Sequence, residues 1–377
     1  MKYIVRPLTA LAAALAALVA ASGAYAQTPT PTPFDDDTPV KVVTEEIKLN
    51  VSAYDRFGDF VPGVTTDDLV ILEDGRLHQP VSVRRIPANV LIMLDTGGEL
   101  RMVKNITQTR DVAKELVREL DPGNQIAVLE YSDKARILTD WTTNKLKVLD
   151  DLDKKLIFGR RSMFSDALNL AARYLSNSEL ENRHLVIVSD GTDSYWSDER
   201  REAELRTLLG TNINVHVISY TKLEHEVVEE QAKKVQKGGP PKKALPPEVA
   251  ETLPNGVRDT ATTQASVTVN TDLEMIKTLK QREEALEKAQ VFLEKLSDDT
   301  SGMYILPEST EEMVEKADLI AHVIDSNYVV TYVPKRPLAD SPPGETRIIE
   351  VSSRKPGLRV LAKRKLAVGG GSEAAPQ

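Results

Sequence analysis

Cysteine is absent from the 377 residues. That excludes a lipid-anchored cysteine at the N-terminus and any disulfide framework. A chain of this length has room for one large domain plus a smaller one, and a core of that size needs no covalent staples. There is also no Gly-x-Ser-x-Gly elbow and no phosphate-cradling glycine loop, since Gly369–Gly371 lies in the tail. Beyond the first residues no apolar segment is long enough to cross a bilayer. Excess positive charge is missing too. Lysine and arginine number 48 against 57 acidic residues, for a formal charge of −9. An acidic chain of this kind is a poor candidate for nucleic acid or an anionic membrane surface.

What is present begins with a leader. Lys2 and Arg6 precede an apolar stretch from Leu8 to Ala21, and Ala24-Tyr25-Ala26 has the form of a cleavage site. Residues 1–26 are expected to be a secretory signal peptide, so the protein is expected to be exported, periplasmic or secreted. Loss of Lys2 and Arg6 takes the charge from −9 to −11. Residues 27–39 form a Thr/Pro linker whose Asp35, Asp36 and Asp37 read as a solvated charge run.

Two runs dominate the remainder. Val90-Leu91-Ile92-Met93-Leu94 ends in Asp95-Thr96-Gly97-Gly98-Glu99, and His184-Leu185-Val186-Ile187-Val188 ends in Ser189-Asp190-Gly191. Each run is apolar without alternation, as expected for a strand buried on both faces, and a helical pattern follows each. The β/α alternation predicts a doubly wound, mostly parallel α/β sheet over residues 88–335. A charged insertion at about 221–271 interrupts it, helical only at Glu224–Gln236. Tyr328–Val333 is expected to be the last core strand. The flanks, 40–86 and 343–366, alternate as short β-strands too few to bury a core alone. They are expected to pair into one accessory all-β domain. Residues 367–377 read as a disordered tail. His184 and His216 fall in buried strands and read as packing residues.

Ligands of open α/β sheets bind at the carboxyl ends of the strands, where both aspartates are delivered. The segments Asp95-Thr96-Gly97-Gly98-Glu99, Arg160-Arg161-Ser162-Met163-Phe164-Ser165-Asp166 and Val188-Ser189-Asp190-Gly191, in that order, resemble a von Willebrand factor A-type domain. Asp68–Gly75 before the core and Tyr328–Pro334 after it resemble a bacterial exported subgroup of that family. The resemblance implies a protein-binding, non-enzymatic module. It also implies a site for Mg²⁺ or another divalent cation, held through oxygen ligands. By position the metal-site residues are Asp95, Glu99, Ser162 and Asp190. Gly97 and Glu99 stand where the family has serines, so the site is degenerate. Arg160 and Arg161 beside it are alternative neutralising charges.

Three other readings compete. The chain could be a structural envelope protein with an inert site. Asp95-Thr96-Gly97 matches an aspartic-protease tripeptide, but that chemistry needs a second one to share a proton. His225-Glu226-Val227-Val228-Glu229 lacks the second histidine of a zinc-protease helix and reads as a solvated face.

Overall fold

The computed structural model describes residues 45–98, 106–176, 181–237, 272–342 and 344–368, all within the unit Glu45–Gln377. The leader, the linker and Glu99 lie outside the described residues, as do 238–271 of the insertion and 369–377 of the tail. Among the described residues no helix is long and apolar enough to cross a membrane.

The N-terminal flank folds as four strands: β1 (Ile47–Tyr54), β2 (Leu69–Glu73), β3 (Arg76–His78) and β4 (Pro80–Arg84). Asp74 and Gly75, both at positive φ, turn β2 into β3. The unalternated run then becomes β5 (Asn89–Asp95), followed by β6 (Gln125–Tyr131), β7 (Ala135–Thr142), β8 (Arg183–Ser189), β9 (Ile213–Ser219) and β10 (Tyr304–Ile305). These six form the central sheet in the order β10-β9-β8-β5-β6-β7. Every neighbouring pair is parallel except β6 and β7.

Helices cover both faces, which is why β5 shows no polar alternation. Val90, Ile92 and Leu94 pack under α1 (Ile106–Glu119), α2 (Lys145–Lys155), α7 (Thr310–Glu315) and α8 (Ala317–Asp325). Leu91 and Met93 pack under α3 (Phe164–Ser176), α4 (Asp198–Leu209) and α6 (Asp272–Asp299). Each such side chain, fully buried, contributes about 1.5–3 kcal/mol. One further helix, α5 (Thr221–Lys237), buries Val228 against Leu279 and Leu286 of α6. The start of the expected insertion is therefore a continuous helix packed on its neighbour.

After α8 come β11 (Asn327–Tyr332) and then, from the C-terminal flank, β12 (Thr346–Ser353), β13 (Arg359–Leu361) and β14 (Lys363–Ala367). Two antiparallel sheets result, ordered β13-β1-β11-β4 and β14-β12-β2-β3. The two flanks do pair. Ala53 faces Val360 across β1 and β13, and Ile71 faces Val351 across β2 and β12, while Leu49 faces Val330 across β1 and β11. Ser52 Oγ donates to Asn327 Oδ1 at 2.9 Å across 275 positions of sequence.

Two expectations are corrected here. β11 is not a strand of the central sheet but the inner strand of the flank sheet, between β1 and β4. A doubly buried run looks the same whichever sheet receives it, and β1 needs this partner to bury Leu49 and Val51. The chain also stays ordered past the expected start of the tail, since Ala367 closes β14 and Val368 is buried.

Candidate functional site

Register puts the acidic groups side by side. β5 and β8 are adjacent and parallel with Leu94 opposite Val188, which sets Asp95 level with Ser189 and next to Asp190. Asp95, Ser162 and Asp190 thus converge at the carboxyl end of the sheet, all buried. Glu99 lies outside the described residues.

The Asp95 carboxylate is fully engaged. Oδ1 accepts from the Gly97 N–H at 3.0 Å. Oδ2 accepts from Ser162 Oγ at 3.2 Å and Ser189 Oγ at 3.1 Å. Ser189 Oγ in turn accepts from the Gly191 N–H at 2.7 Å. Its single proton faces Asp95, so the Tyr131 hydroxyl at 2.6 Å is the donor between those two oxygens. Burial first, then the charge of Asp95, holds the Tyr131 phenol well above its ordinary pKa, consistent with that role.

Asp190 is engaged as completely. Oδ1 accepts from the Thr192 N–H at 2.8 Å and Thr192 Oγ1 at 2.7 Å. Oδ2 accepts from Arg282 Nη2 at 2.8 Å. Arg282 Nη1 reaches Thr192 Oγ1 at 2.8 Å, Nε reaches Glu224 Oε1 at 2.7 Å, and Nη2 also bonds Glu224. Burial alone would lower the guanidinium pKa. Asp190 and Glu224, with Asp95 behind them, raise it instead. Glu224 lies in the first turn of α5, where the helix dipole favours a carboxylate.

The charge that meets Asp190 therefore comes from α6. Arg160 and Arg161, the expected neutralisers, point elsewhere: both are exposed, and their backbone N–H groups donate to Asp133 Oδ1. Sequence reasoning missed Arg282, yet a signal was present. Leu279, Leu286, Ala289, Leu293 and Leu296 mark the buried stripe of α6, and Arg282 falls on that stripe three residues after Leu279. A charge in a buried helical seam implies a specific partner.

The described residues Asp95, Ser162 and Asp190 do not by themselves fit a divalent cation in this arrangement. All four carboxylate oxygens of Asp95 and Asp190 already accept hydrogen bonds from the protein. An ion on Asp190 would also face the Arg282 charge. No serine can fit at 97, because a β-carbon there would lie 1.8 Å from the Arg161 carbonyl oxygen. No cluster of three or more metal-ligating side chains occurs among the described residues.

Around this buried centre the loops are tied together. Ser162 N–H donates to Ser194 Oγ at 3.0 Å, and Ser194 N–H to the Ser162 carbonyl at 2.8 Å. Asp193 Oδ2 caps the start of α3 through Ser165 N–H at 2.7 Å. Arg201 donates to the Gly191 carbonyl at 2.9 Å, and its guanidinium lies 4.2, 4.5 and 4.7 Å from the Phe164, Trp196 and Phe292 ring centres. Outside them Arg160, Arg161, Ile157 and Tyr195 are exposed, with Arg161 5.6 Å from the Tyr195 ring.

Residues 90–192 match the family model described as von Willebrand factor type A domain. Among solved structures, the chain is similar to an aerotolerance-related membrane protein from Bacteroides fragilis. Identity there is 15%, with 63% of this chain and 98% of that chain covered and a TM-score of 0.35. A von Willebrand factor type A protein from Catenulispora acidiphila shares 9% identity over 86% of this chain and 73% of that chain, with a TM-score of 0.42. The vWF domain of the type V pili tip protein Mfa5 from Porphyromonas gingivalis shares 13% identity over 64% of this chain and 96% of that chain, with a TM-score of 0.35. No curated protein matches the chain.

Proposed function

We propose that this chain, whose residues 90–192 match the model of the von Willebrand factor type A domain, is an exported module that captures a protein partner without a bound cation. The contact surface is the carboxyl end of the central sheet. Export rests on the leader pattern at residues 1–26.

The observation that carries the cation-free reading is the Arg282 bridge. A guanidinium tethered by α6 meets both the Asp190 and the Glu224 carboxylates, so the positive charge between them is supplied by the chain itself. The aspartates then hold the loops and leave recognition to the exposed side chains above them. Arg160, Arg161 and Tyr195 are of the types that dominate binding energy at interfaces. Two exposed arginines on an otherwise acidic protein suit an acidic segment of the partner. Proteolysis through Asp95 is disfavoured, because its carboxylate is buried under the Ser162 and Ser189 hydroxyls.

The test joins calorimetry with capture. Mg²⁺, Mn²⁺ and Ca²⁺ titrated into the protein are expected to give no saturable heat. Partner capture from an envelope extract is expected to survive chelator and to fall at least tenfold in the Arg160→Glu/Arg161→Glu double variant. Capture abolished by chelator overturns the cation-free reading, and capture unchanged in the double variant overturns the surface.

A further inference from the structure

On the side of the domain where β14 meets the turn after α4 lies a buried charge with no counter-charge among the described residues. Arg364 of β14 is 4% exposed. Nη1 donates to the Ile213 carbonyl at 3.2 Å, while Nη2 has no hydrogen-bond partner among the described residues. No carboxylate among them pairs with it, although its neighbours on the same strand, Lys363 and Lys365, bind Glu350 and Asp299. Burial pulls the Arg364 pKa down to about 10, with no carboxylate to hold it up. Buried guanidinium groups are normally paired, because desolvation of an isolated charge is costly.

Arg364 borders a cavity of about 230 Å³. Ile47, Leu338, Ile349 and Leu366 give it apolar walls, and Thr211 and Asn212 of the turn after α4 line it as well. Two charged residues are also on the wall: Lys48 is already paired with Glu181, and Glu46 is exposed and makes no ion pair with Arg364 among the described residues. Behind Arg364 the Asn50 and Asn214 side-chain oxygens lack partners too. Those oxygens are acceptors, so they cannot supply the missing negative charge.

We propose that this cavity binds the carboxylate of a small aliphatic ligand, with the carboxylate against Arg364 and the alkyl group against Ile47, Leu338, Ile349 and Leu366. A guanidinium edge suits a carboxylate, and a desolvated one binds it more strongly than a surface arginine does. The volume limits the alkyl part to about one branched side chain. A free short-chain acid and the C-terminal carboxylate of a peptide ending in an aliphatic residue present the same chemistry.

The experiment titrates the full chain with sodium isovalerate, N-acetyl-leucine and N-acetyl-leucinamide, followed by calorimetry and thermal shift. Saturable binding of at least one carboxylate is expected, with the uncharged amide inactive. Isovalerate alone points to a free acid, and N-acetyl-leucine alone to a peptide terminus. Arg364→Met is expected to weaken binding at least tenfold while leaving melting of the ligand-free protein unchanged or higher. Leu338→Trp, which fills the cavity from another lining position, is expected to abolish binding with Arg364 intact, and decides the matter should Arg364→Met not fold. Failure of both carboxylates to bind, equal binding of the amide, or binding undiminished in Leu338→Trp overturns the proposal.

Discussion

Arg282 Nη2 lies 2.8 Å from Asp190 Oδ2, although 92 positions of sequence separate the two residues. The contact joins a helix that follows the insertion to the end of a central strand. Through Glu224 it also draws in the first turn of α5. Removing one partner of a buried pair leaves the other charge stranded, at a cost of about 3–5 kcal/mol. Arg282→Met is therefore expected to destabilise the protein by about 3 kcal/mol in urea unfolding, the lower end because the side chain keeps 18% exposure. The variant is also expected to gain thermal stability from added Mg²⁺ where the parent does not. A variant as stable as the parent, or a parent equally stabilised by Mg²⁺, counts against the bridge.

Gly97 cannot be returned to the family's serine. Its β-carbon would meet the Arg161 carbonyl oxygen at 1.8 Å, a backbone atom that has no rotamer in which to retreat. Gly97→Ser is expected to cost about 1–3 kcal/mol and to create no cation affinity. Denaturant midpoints and cation titration of the same sample check both halves.

His184 and His216 form a proton chain whose direction is fixed at one end. The Met303 N–H donates to His216 Nδ1 at 3.2 Å, so His216 Nε2 carries the proton. It donates to His184 Nδ1 at 3.0 Å, and His184 Nε2 donates to Asn182 Oδ1 at 2.9 Å. Burial holds His216 down to about 3 and His184 well below its ordinary value. Nitrogen-detected NMR is expected to show both rings neutral at pH 5 with those tautomers. The unfolded chain takes up protons near pH 6.5 that the folded chain refuses. Stability from these two groups is thus complete above about 6.5 and declines as pH falls toward 3, by about 1.4 kcal/mol per unit for each ring. Asp325, raised to about 6 by burial, and Glu204, raised by burial, work in the opposite sense. A protein lacking both rings, His184→Gln/His216→Leu, should lose less stability than the parent between pH 6.5 and 5.

Arg201 sits among three aromatic faces. Lysine keeps the charge but has no flat group to stack against them. Arg201→Lys is expected to cost about 1–2 kcal/mol and to loosen the 190–197 loop, read as faster amide exchange at Thr192 and Ser194. Unchanged exchange at those amides would show that the rings do not hold the loop.

The parallel sheet and the convergence of Asp95 with Asp190 were legible because a doubly buried strand writes an unbroken apolar run ending at its functional tip. The pairing of the flanks was legible from their size, since neither can bury a residue such as Ile71 alone. Which sheet receives Tyr328–Tyr332 was not, because burial on two faces carries no label for parallel or antiparallel partners. The Arg282 contact was hidden for another reason. Local patterning fixes its place on the apolar stripe of α6, but only packing of α6 over the sheet tells which carboxylate it meets.

The pairing of β1 with β11 sets a time order on assembly. The first of the described strands to leave the ribosome finds its β11 partner about 280 positions later, so Leu49 and Val51 stay wet until most of the chain is made. A product stopped before Asn327 can wind its central layer yet has nothing to shield that opening strand. Such a fragment offers a bare apolar edge to proteases and to other chains, so interrupted translation should leave material that clumps or is degraded rather than a smaller working protein.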